Sequence, residues 1–441
     1  MEQIFTDKKS FFSFDKSFKN ELSYAKPDKY RLLEEFSIKS DKIINFGSNL
    51  SYSPLGFLKE GISLDIKKFN RILDFDKKNK IITVEAGISL IELLNFTLKY
   101  KLWIPQLPGY PTITIGGAVA SNAHGKSCAT HGTIRKSIKK ISLFHKKHGW
   151  LSLSENENKD IFDLTIGGIG LTGTIVSVTL QLQDIKSFLF LTKKENIKNI
   201  NECKKLIEDK NIPSFIYSWN RADNLNTFGS GIVFKNQIIS NDTMVFKKFI
   251  IQNNSFKPFL FPLWNKYSIK LINFIYLKIN QFSKKEKIES FFNVIFPFYG
   301  KERYFNFFGR NGFIESQLLI HESKLDPFLS EFKYLYKIYE PTITLFSLKN
   351  MSGRQKLLRF EDEKICLTFD FINNKKNLKF MSIIDSLYKK YEILPSIIKD
   401  SRISKKIFYE TYNESSEFKE KLKIFDKQRI YQSEISRRLE I

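Results

Sequence analysis

Hydrophobic and polar positions follow two different periods in the first 185 residues. Apolar side chains recur with helical spacing between Tyr30 and Phe36, and Ser89 begins a second helical run that ends at Leu98. A further helix is expected around residues 161–164. Short β-branched or alternating runs indicate strands, which are predicted at residues 42–46, 64–66, 72–75, 81–84, 112–115, 138–144, 150–153 and 174–182.

The pattern changes near residue 185. Beyond this point, runs rich in Phe, Ile and Tyr indicate strands that alternate with Lys-rich helices, and residues 377–391 and 436–439 predict helices. Of the 20 glycines, 14 lie between Gly47 and Gly173 and six lie in the rest of the chain. An α+β fold with two domains is therefore predicted, and ligand contacts made by the backbone are expected in the first domain.

The stretch from Pro108 to Gly132 is the best candidate for such contacts. Its paired glycines, Gly116 and Gly117, allow the backbone to approach a flat or charged group, and the small residues that follow expose peptide N–H groups. His124 and Lys126 add a titratable ring and a positive charge. The stretch predicts a cofactor cradle with chemistry attached, and a tight strand-to-helix turn without a ligand is the alternative.

A formal G-x-G-x-x-G pattern occurs at Gly168, Gly170 and Gly173. The dinucleotide fingerprint of this form must follow a strand and open a helix. Here the glycines lead into the alternating run 174–182, which predicts a strand. We therefore interpret the pattern as a glycine turn and not as a Rossmann unit.

The net charge of +24 leaves several partners open. With 71 Lys and Arg against 47 Asp and Glu, nucleic acid, an anionic membrane surface and a phosphorylated substrate are all compatible. The lysines are spread along the chain, which also fits a compositional bias, and no nucleic-acid-binding module is recognisable. Residues 256–282 contain large aromatics and no acidic residue, as in a membrane-interface segment or an ordinary buried helix.

Other classes of site and segment are not expected. The cysteines Cys128, Cys203 and Cys366 are far apart, which argues against a zinc ribbon or a disulfide framework. The run His124-x3-Cys128-x2-His131 lacks a fourth ligand, so no metal site is predicted. The N-terminal residues show no apolar signal-peptide region, and no run of 18 apolar residues predicts a membrane-spanning helix.

The order of the glycine-containing motifs resembles that of a known family. The motifs V-E-A-G, L-W-I-P-Q-L-P-G, T-I-G-G-A-V-A and G-G-I-G-L-T-G resemble the FAD-binding domain of the vanillyl-alcohol-oxidase (PCMH-type) flavoproteins. The triplet His124-Gly125-Lys126, the tail motif Lys399-Asp400-Ser401-Arg402 and the closing residues 436–440 resemble members that oxidise a polyprenyl-phosphate-linked pentose. The resemblance covers most of residues 42–183 and 394–441.

The resemblance implies an architecture and a site. It implies a two-subdomain FAD-binding domain over residues 1–184, an α+β substrate (cap) domain with an antiparallel sheet over residues 185–393, and a segment 394–441 that returns to the first domain. His124 and Lys399 would be catalytic. The residues implied to bind FAD are Gly47, Ser48, Asn49, Ser51, Tyr52, Pro108, Gly109, Thr114, Gly116, Gly117, Ala118, Asn122, Gly125, Gly173 and Ile175. The residues implied to bind substrate are Lys126, Trp219, Gln317, Lys349 and Cys366.

Two departures bear on the cofactor. Leu50 stands where close relatives carry Arg, and Ser53-Pro54 replaces the usual Gly-Asp, which puts the phosphate contacts of this loop in question. The loop also lacks the His or Cys that tethers flavin in covalent members, so non-covalent FAD is expected.

The function implied is oxidation of a secondary hydroxyl of a sugar by hydride transfer to FAD. The substrate would be a polyprenyl-phosphate-linked pentose oxidised at its 2′-hydroxyl, and an NAD-dependent short-chain reductase would complete the epimerisation. The protein would be cytoplasmic, and peripheral contact with the inner face of the cell membrane through an anionic lipid surface is compatible with this location. No nucleic-acid partner is expected. A sugar-lactone or alditol oxidase on the same fold is one alternative, and a non-catalytic basic protein that binds nucleic acid or membranes is another.

Overall fold

A computed structural model describes residues 7–208, 215–239, 246–251 and 258–441. The N-terminal part contains a four-stranded sheet in the order β1-β2-β4-β3, in which β1 and β2 are antiparallel and the other two pairings are parallel. Its strands are β1 (Asp7–Phe12), β2 (Lys19–Ala25), β3 (Ile43–Phe46) and β4 (Ile62–Asp65).

A second, antiparallel sheet of five strands has the order β5-β6-β10-β8-β9. Its strands are β5 (Ile72–Asp76), β6 (Ile81–Glu85), β8 (Ile138–His145), β9 (Gly149–Ser154) and β10 (Thr174–Gln181), and a small separate pair joins β7 (Leu102–Trp103) to β11 (Gln183–Asp184). Alternate residues of β10 point into a hydrophobic core that the two sheets share with the surrounding helices.

The third sheet has eight antiparallel strands in the order β15-β12-β14-β13-β17-β18-β16-β19. Its strands are β12 (Leu189–Ile197), β13 (Phe215–Asn220), β14 (Gly231–Ile238), β15 (Glu286–Ser290), β16 (Phe313–Ile320), β17 (Ile343–Asn350), β18 (Ile365–Ile372) and β19 (Leu394–Pro395). Every residue of β16 and β18 is buried, because helices cover one face and the N-terminal part faces the other.

The helices of the described residues lie between these strands. They are α1 (Tyr30–Lys39), α2 (Leu90–Thr97), α3 (Ile115–Ala120), α4 (Cys128–His131), α5 (Lys159–Thr165), α6 (Ile200–Ile207), α7 (Lys266–Phe282), α8 (Phe291–Ile295), α9 (Arg303–Asn306), α10 (Glu322–Tyr339), α11 (Lys375–Asp385), α12 (Lys405–Thr411), α13 (Ser415–Phe425) and α14 (Glu434–Leu439). Three one-turn 3₁₀ helices span Leu98–Tyr100, Ile134–Ser137 and Leu225–Thr227.

The predicted mixture of helices and antiparallel strands is confirmed, with two local corrections. A strand at residues 112–115 is wrong, because Thr114 caps α3 by accepting a hydrogen bond from Gly117 N, and the small residues after it continue as a helix. The helix predicted at 377–391 ends at Asp385 and gives way to turns. By contrast, the glycine turn at 167–173 leads into β10, as predicted.

The C-terminal segment contacts both parts of the molecule. Leu394–Pro395 pairs with β16 of the eight-stranded sheet, whereas Tyr431 bridges to Ile43 of the first sheet. The Tyr431 ring is buried, and its hydroxyl donates to Phe144 O at 3.3 Å. The domain boundaries at residues 184 and 393 stay predictions.

Candidate active site

A large cavity lies between the N-terminal part and the eight-stranded sheet. Counting its open mouth, it encloses about 1950 Å³ of space free of protein atoms. One wall consists of the loops 45–52 and 108–126, and the other consists of side chains from β16, β17 and β18 together with Lys399. The part of the cavity that small molecules can occupy measures about 370 Å³, which lies in the usual range of about 300–1,000 Å³ for small-ligand sites.

The first wall depends on close backbone packing. A Cβ atom on Gly47 would lie 2.0 Å from Thr114 Oγ1, and one on Gly125 would lie 2.0 Å from the carbonyl oxygen of Leu107. The Ser48 hydroxyl donates to the carbonyl oxygen of Thr112. The Gly47 and Ser48 contacts tie the two loops together, whereas Gly125 packs on Leu107, directly before the second loop. Neither glycine can be replaced without a shift of the neighbouring atoms.

This wall has the features that a bound cofactor would complete. A Cβ atom on Gly109 would meet nothing within 4 Å, and one on Gly117 would meet only Thr114 Oγ1 at 3.0 Å. Asn45 lines the cavity, and its buried Nδ2 has no hydrogen-bond acceptor among the described residues. Asn122, directly beside the cavity-lining Ser121 and Ala123, has no described partner for either amide atom. Open glycine surface and unused buried donors fit a flat polar cofactor.

Most of the residues implied to bind FAD border this cavity. Those on its wall are Gly47, Ser48, Asn49, Ser51, Tyr52, Pro108, Gly109, Thr114, Gly117 and Gly125. Leu50 also lines it, so an apolar side chain occupies the position where an Arg was expected. Ser53, the second departure, is buried away from the wall, and its backbone N–H donates to Ile398 O at 3.1 Å.

Five implied residues do not line the cavity. Gly116 packs on Ala86, and Gly173 packs on the carbonyl oxygen of Phe144. Ile175 is buried in β10, and Ala118 is buried in α3. Asn122 is the fifth, and its amide lies beside the lining residues Ser121 and Ala123. Gly116, Gly173 and Ala118 support the wall from behind, because the absence of a large side chain permits close packing of the backbone.

His124 lies at the junction of the two walls, with both ring nitrogens occupied. Its Nδ1 lies 3.0 Å from Lys349 Nζ, and its Nε2 lies 3.2 Å from Gln317 Oε1. An ammonium group only donates, so Nδ1 accepts from Lys349 and Nε2–H donates to Gln317. Burial, and then the positive charges of Lys349 and Lys399, hold the pKa of His124 well below its usual value. The ring is therefore neutral and fixed in one tautomer.

Lys126 is on the cavity wall, but its ammonium group turns towards α8. Its Nζ donates to Val294 O at 2.8 Å and lies 4.6 Å from the centre of the Tyr217 ring. Burial, followed by repulsion from Lys349 and Lys301, lowers the pKa of Lys126 well below its usual value. An anion in the cavity would relieve both effects, because it would supply the missing negative charge.

Lys399 faces an acidic group and an aromatic ring. Its Nζ lies 3.3 Å from Glu315 Oε1 and 3.6 Å from the centre of the Tyr52 ring. Burial, and then the carboxyl groups of Glu315 and Asp370, raise the pKa of Tyr52 well above its usual value. Lys399 and His124, 275 positions apart in the sequence, thus border the same cavity.

Two of the implied substrate residues do not line the cavity. The Trp219 ring packs against Tyr276 of α7, with ring centres 4.5 Å apart. Cys366 is fully buried in β18, directly opposite Lys349 of β17, and burial raises its pKa to about 12. Cys366 shares its face of the sheet with Lys349, but it packs into a core cluster with Cys128 and Met351 and does not reach the cavity.

Sequence reasoning named Gln317 but missed its polar neighbours on the second wall. Glu315 and Gln317 of β16 lie opposite Asp370 and Thr368 of β18, and all four line the cavity. Tyr304 of α9 joins them, since its hydroxyl donates to Asp370 Oδ2 at 2.7 Å. The sequence pattern that could have revealed them is the alternation of polar with apolar residues in the segments 313–320 and 365–372.

The comparison with protein families matches residues 31–154 to an FAD binding domain. The matched residues include the loop 45–52 and the stretch 108–126, which form the first wall. The protein is an FAD-dependent oxidoreductase with a PCMH-type FAD-binding domain. The cradle residues would hold FAD, which supplies a two-electron acceptor when it is bound.

Relatives of this flavoprotein differ in how much of the chain they match. A decaprenylphosphoryl-beta-D-ribose oxidase from Mycolicibacterium smegmatis is 22% identical over 90% of this chain and 89% of its own length. An L-gulonolactone oxidase from Mus musculus is 33% identical over 28% of each chain. A mitochondrial L-galactono-1,4-lactone dehydrogenase from Brassica oleracea is 26% identical over 42% of this chain and 31% of its own length.

Proposed function

We propose that this flavoprotein oxidises a secondary hydroxyl of a sugar linked to a polyprenyl phosphate, and that the sugar is a pentose oxidised at its 2′-hydroxyl. This step would be the first half of an epimerisation, which an NAD-dependent short-chain reductase would complete. The observation that carries the proposal is the meeting of His124, Lys126, Lys349 and Lys399 at one cavity beside the FAD cradle. Similarity to a decaprenylphosphoryl-ribose oxidase over 90% of the chain supports it.

The charges at the cavity suit a substrate with a phosphate group. Lys399 is balanced by Glu315, but Lys126 and Lys349 line the cavity with no carboxylate contact in the described part of the chain, and Lys301 is close enough to depress the pKa of Lys126. Buried cations without enough counter-charge are costly, and a phosphate dianion would compensate them. A neutral sugar lactone would leave this positive charge uncompensated.

The roles of the side chains follow from their contacts. FAD held by the loops 45–52 and 108–126 would supply a hydride acceptor for the carbinol carbon of the sugar. The Lys349 and Gln317 contacts fix the His124 ring, which would orient the sugar hydroxyls. Lys399 would stabilise negative charge near the cofactor and the substrate. Alcohol oxidation depends on such positioning, because an error of about 1 Å in a reacting group costs about 10²-fold in rate.

An exposed apolar surface near the cavity suits a lipid-linked substrate. Residues 258–263 and helix α7 present large side chains to solvent, and we call this surface the apolar platform. Its exposed members are Phe259, Leu260, Phe261, Leu263, Tyr267, Leu271, Ile272, Phe274, Ile275, Tyr276, Ile279 and Phe282. The buried-helix interpretation of α7 is therefore wrong, since only Ile269 and Asn273 of its residues are buried. Residues 252–257 lie outside the described residues.

The apolar platform is attached to the wall of the cavity. Leu263 N donates to Phe307 O at 2.8 Å, and Trp264 Nε1 donates to Tyr304 O at 3.0 Å. Tyr304 lines the cavity. A polyprenyl chain held by lipid at the platform would therefore enter close to the site where its phospho-sugar reacts. We propose that the platform binds an anionic membrane surface, aided by the net charge of +24.

The described helices do not offer a membrane-crossing alternative, since none of them has the necessary length and apolar character. Peripheral contact on the inner face of the cell membrane is the localisation that we propose.

The substrate is tested by anaerobic bleaching of the flavin absorbance. The protein, reconstituted with FAD, is mixed separately with a polyprenylphosphoryl-β-D-ribose, L-gulono-1,4-lactone and xylitol. We expect the polyprenyl-phosphate sugar to bleach the flavin and the other two to act far more slowly. Bleaching by the lactone or the alditol at a comparable rate would favour the alternative oxidases, whose named relatives L-gulonolactone oxidase and L-galactono-1,4-lactone dehydrogenase match less than half of this chain.

Membrane binding is tested with anionic vesicles made of phosphatidylglycerol and phosphatidylcholine. The double variant Phe261→Glu/Phe282→Glu places charge at positions that are 76% and 87% exposed, so folding should be unaffected. We expect the wild type to sediment with the vesicles and the variant to remain in the supernatant. Ile424→Glu, at an 84% exposed position outside the platform, is the matched control and should sediment like the wild type. Equal sedimentation of wild type and double variant would contradict the proposal.

A further inference from the structure

Two buried carboxyl groups face each other on the second wall of the cavity. Glu315 of β16 and Asp370 of β18 are directly opposite residues of an antiparallel pair, and their side chains line the cavity. Asp370 is 1% exposed and Glu315 is 5% exposed. Such groups cannot both be ionised at low cost, because like charges repel strongly in a site that water does not screen.

The hydrogen bonds around Asp370 indicate where a proton lies. Its Oδ2 accepts from Tyr304, but its Oδ1 receives no hydrogen bond from a donor in the described part of the chain. Among the charged groups around Asp370, the Glu315 carboxyl has the largest effect, and the two side chains are hydrogen-bonded. A hydrogen bond between two carboxyl groups requires that one of them is protonated. Burial, and then Glu315, raise the pKa of Asp370 well above its usual value. A proton held between the two carboxyl groups satisfies the unused oxygen.

The Glu315–Asp370 pair carries one negative charge, because the other titratable groups that face it supply only one positive charge. Lys399 lies 3.3 Å from Glu315, and the phenols Tyr52 and Tyr304 face the pair from the loop 45–52 and from α9. One ammonium group balances one carboxylate, so the combination of Lys399, Glu315 and Asp370 is neutral when the pair holds a single proton. Asp15 is the next carboxyl group, and it lies behind Tyr52, outside the cavity.

The sugar hydroxyl loses a proton when it is oxidised, and His124 is poorly placed to take it. The only lone pair of its neutral ring, on Nδ1, accepts from Lys349. A carboxylate of the Glu315–Asp370 pair has free acceptor capacity and lines the same cavity as His124. The proton acceptor therefore has to be sought outside the histidine.

We propose that Glu315 accepts the proton of the reacting hydroxyl and that Asp370 holds the proton that keeps the pair singly charged. The O–H bond of the substrate breaks and an O–H bond to Glu315 forms, while the carbinol carbon passes its hydride to FAD and becomes a carbonyl carbon. The pair then carries two protons and no charge, and it returns one proton to solvent before the next turnover. This inference rests on the proposed alcohol oxidation, whichever alcohol is the substrate.

The shared proton is tested by infrared spectroscopy of the FAD-bound protein without substrate. The difference between wild type and Asp370→Asn near neutral pH should show the carbonyl-stretch band of a protonated carboxylic acid, shifted in deuterium oxide. Asp15→Asn is the matched control, because it neutralises another buried carboxyl group whose pKa burial raises. Its spectrum should retain the Asp370 band. Absence of the band from the wild-type minus Asp370→Asn difference would overturn the proposal even if sugar oxidation is confirmed.

The acceptor role is tested by kinetics with the alcohol that bleaches the flavin. Glu315→Gln should lower kcat by about 10²- to 10⁴-fold, the usual contribution of a general base, with KM and bound FAD little changed. Asp370→Asn should retain more activity than Glu315→Gln, since Asn can still donate to Glu315. Asp15→Asn should keep the wild-type pH profile. Wild-type kcat in Glu315→Gln would overturn the acceptor role, whereas failure of every alcohol with an intact infrared band would count against the oxidation and not against the shared proton.

Discussion

The two walls of the cavity are built in opposite ways. The wall that belongs to the FAD-binding domain is made of backbone, with Gly47 and Gly125 pressed against neighbouring loops and Gly109 open to the cavity. The wall on the eight-stranded sheet is made of long polar side chains, such as Lys349 and Gln317, that contact one another across strands. A backbone wall tolerates few substitutions anywhere, whereas a side-chain wall can change its chemistry at one position without altering the fold.

The sharpest test of this contrast concerns how FAD is held. Among the residues described on the cavity wall, His124 is the one histidine and there is no cysteine, and both ring nitrogens of His124 are occupied. We therefore expect FAD to be non-covalent and to be released completely when the protein is denatured. The measurement is flavin absorbance of the acid-precipitated protein and of its supernatant. Flavin that remains on the precipitate would mean that a side chain takes part in holding it.

The next largest effect is expected from adding one methyl group to the backbone wall. In Gly125→Ala the new Cβ would lie 2.0 Å from the Leu107 carbonyl oxygen, so the loop must move. Overpacking of this kind costs about 1–3 kcal/mol, and we expect loss of bound FAD together with a lower free energy of unfolding.

Gly109→Ala is the matched control for this effect, because its Cβ would meet nothing within 4 Å. It should weaken FAD binding and leave the free energy of unfolding of the FAD-free protein within about 0.5 kcal/mol of the wild type. Denaturant unfolding and FAD titration of both variants measure the two effects. Equal destabilisation by the two substitutions would refute the distinction between packed and open glycines.

The sequence showed the backbone wall far better than the side-chain wall. Glycine spacing marks the cradle because only glycine permits contacts as short as that between Gly125 and Leu107. The requirement for glycine is therefore visible in the sequence of the loop itself. The error at Thr114 arose because β-branched residues favour strands, whereas its hydroxyl caps a helix. Glu315 and Asp370 looked like isolated polar positions, since strand pairing between residues 55 positions apart brings them together and no local pattern encodes it.

A smaller effect is expected at the side-chain wall when His124 is replaced. His124→Gln should lower kcat for the sugar by about 10²-fold, because the ring positions the substrate through its Lys349 and Gln317 contacts. FAD binding should be unchanged, since the cradle is formed by backbone. Stopped-flow bleaching and the flavin content of the purified variant measure the two quantities. Loss of flavin from His124→Gln would show that the ring supports the cradle instead.

The smallest effect is the pH dependence of stability that the side-chain wall introduces. Burial and the neighbouring lysines lower the pKa of His124 far below 6.5, so the unfolded chain binds more protons than the folded one below that pH. Stability should therefore fall as the pH drops below 6.5, by at most about 1.4 kcal/mol per pH unit from this group, and His124→Gln should remove that slope. Asp370 acts in the opposite direction, because its raised pKa makes stability fall as the pH rises above 3.8. The free energy of unfolding is measured at pH 7 and at about one unit below 6.5, and the difference between wild type and His124→Gln gives the contribution of the histidine. Gly109→Ala changes no titratable group and should keep the wild-type pH dependence. An unaltered slope in His124→Gln would mean that the ring is protonated in the folded protein and that Lys349 does not donate to it.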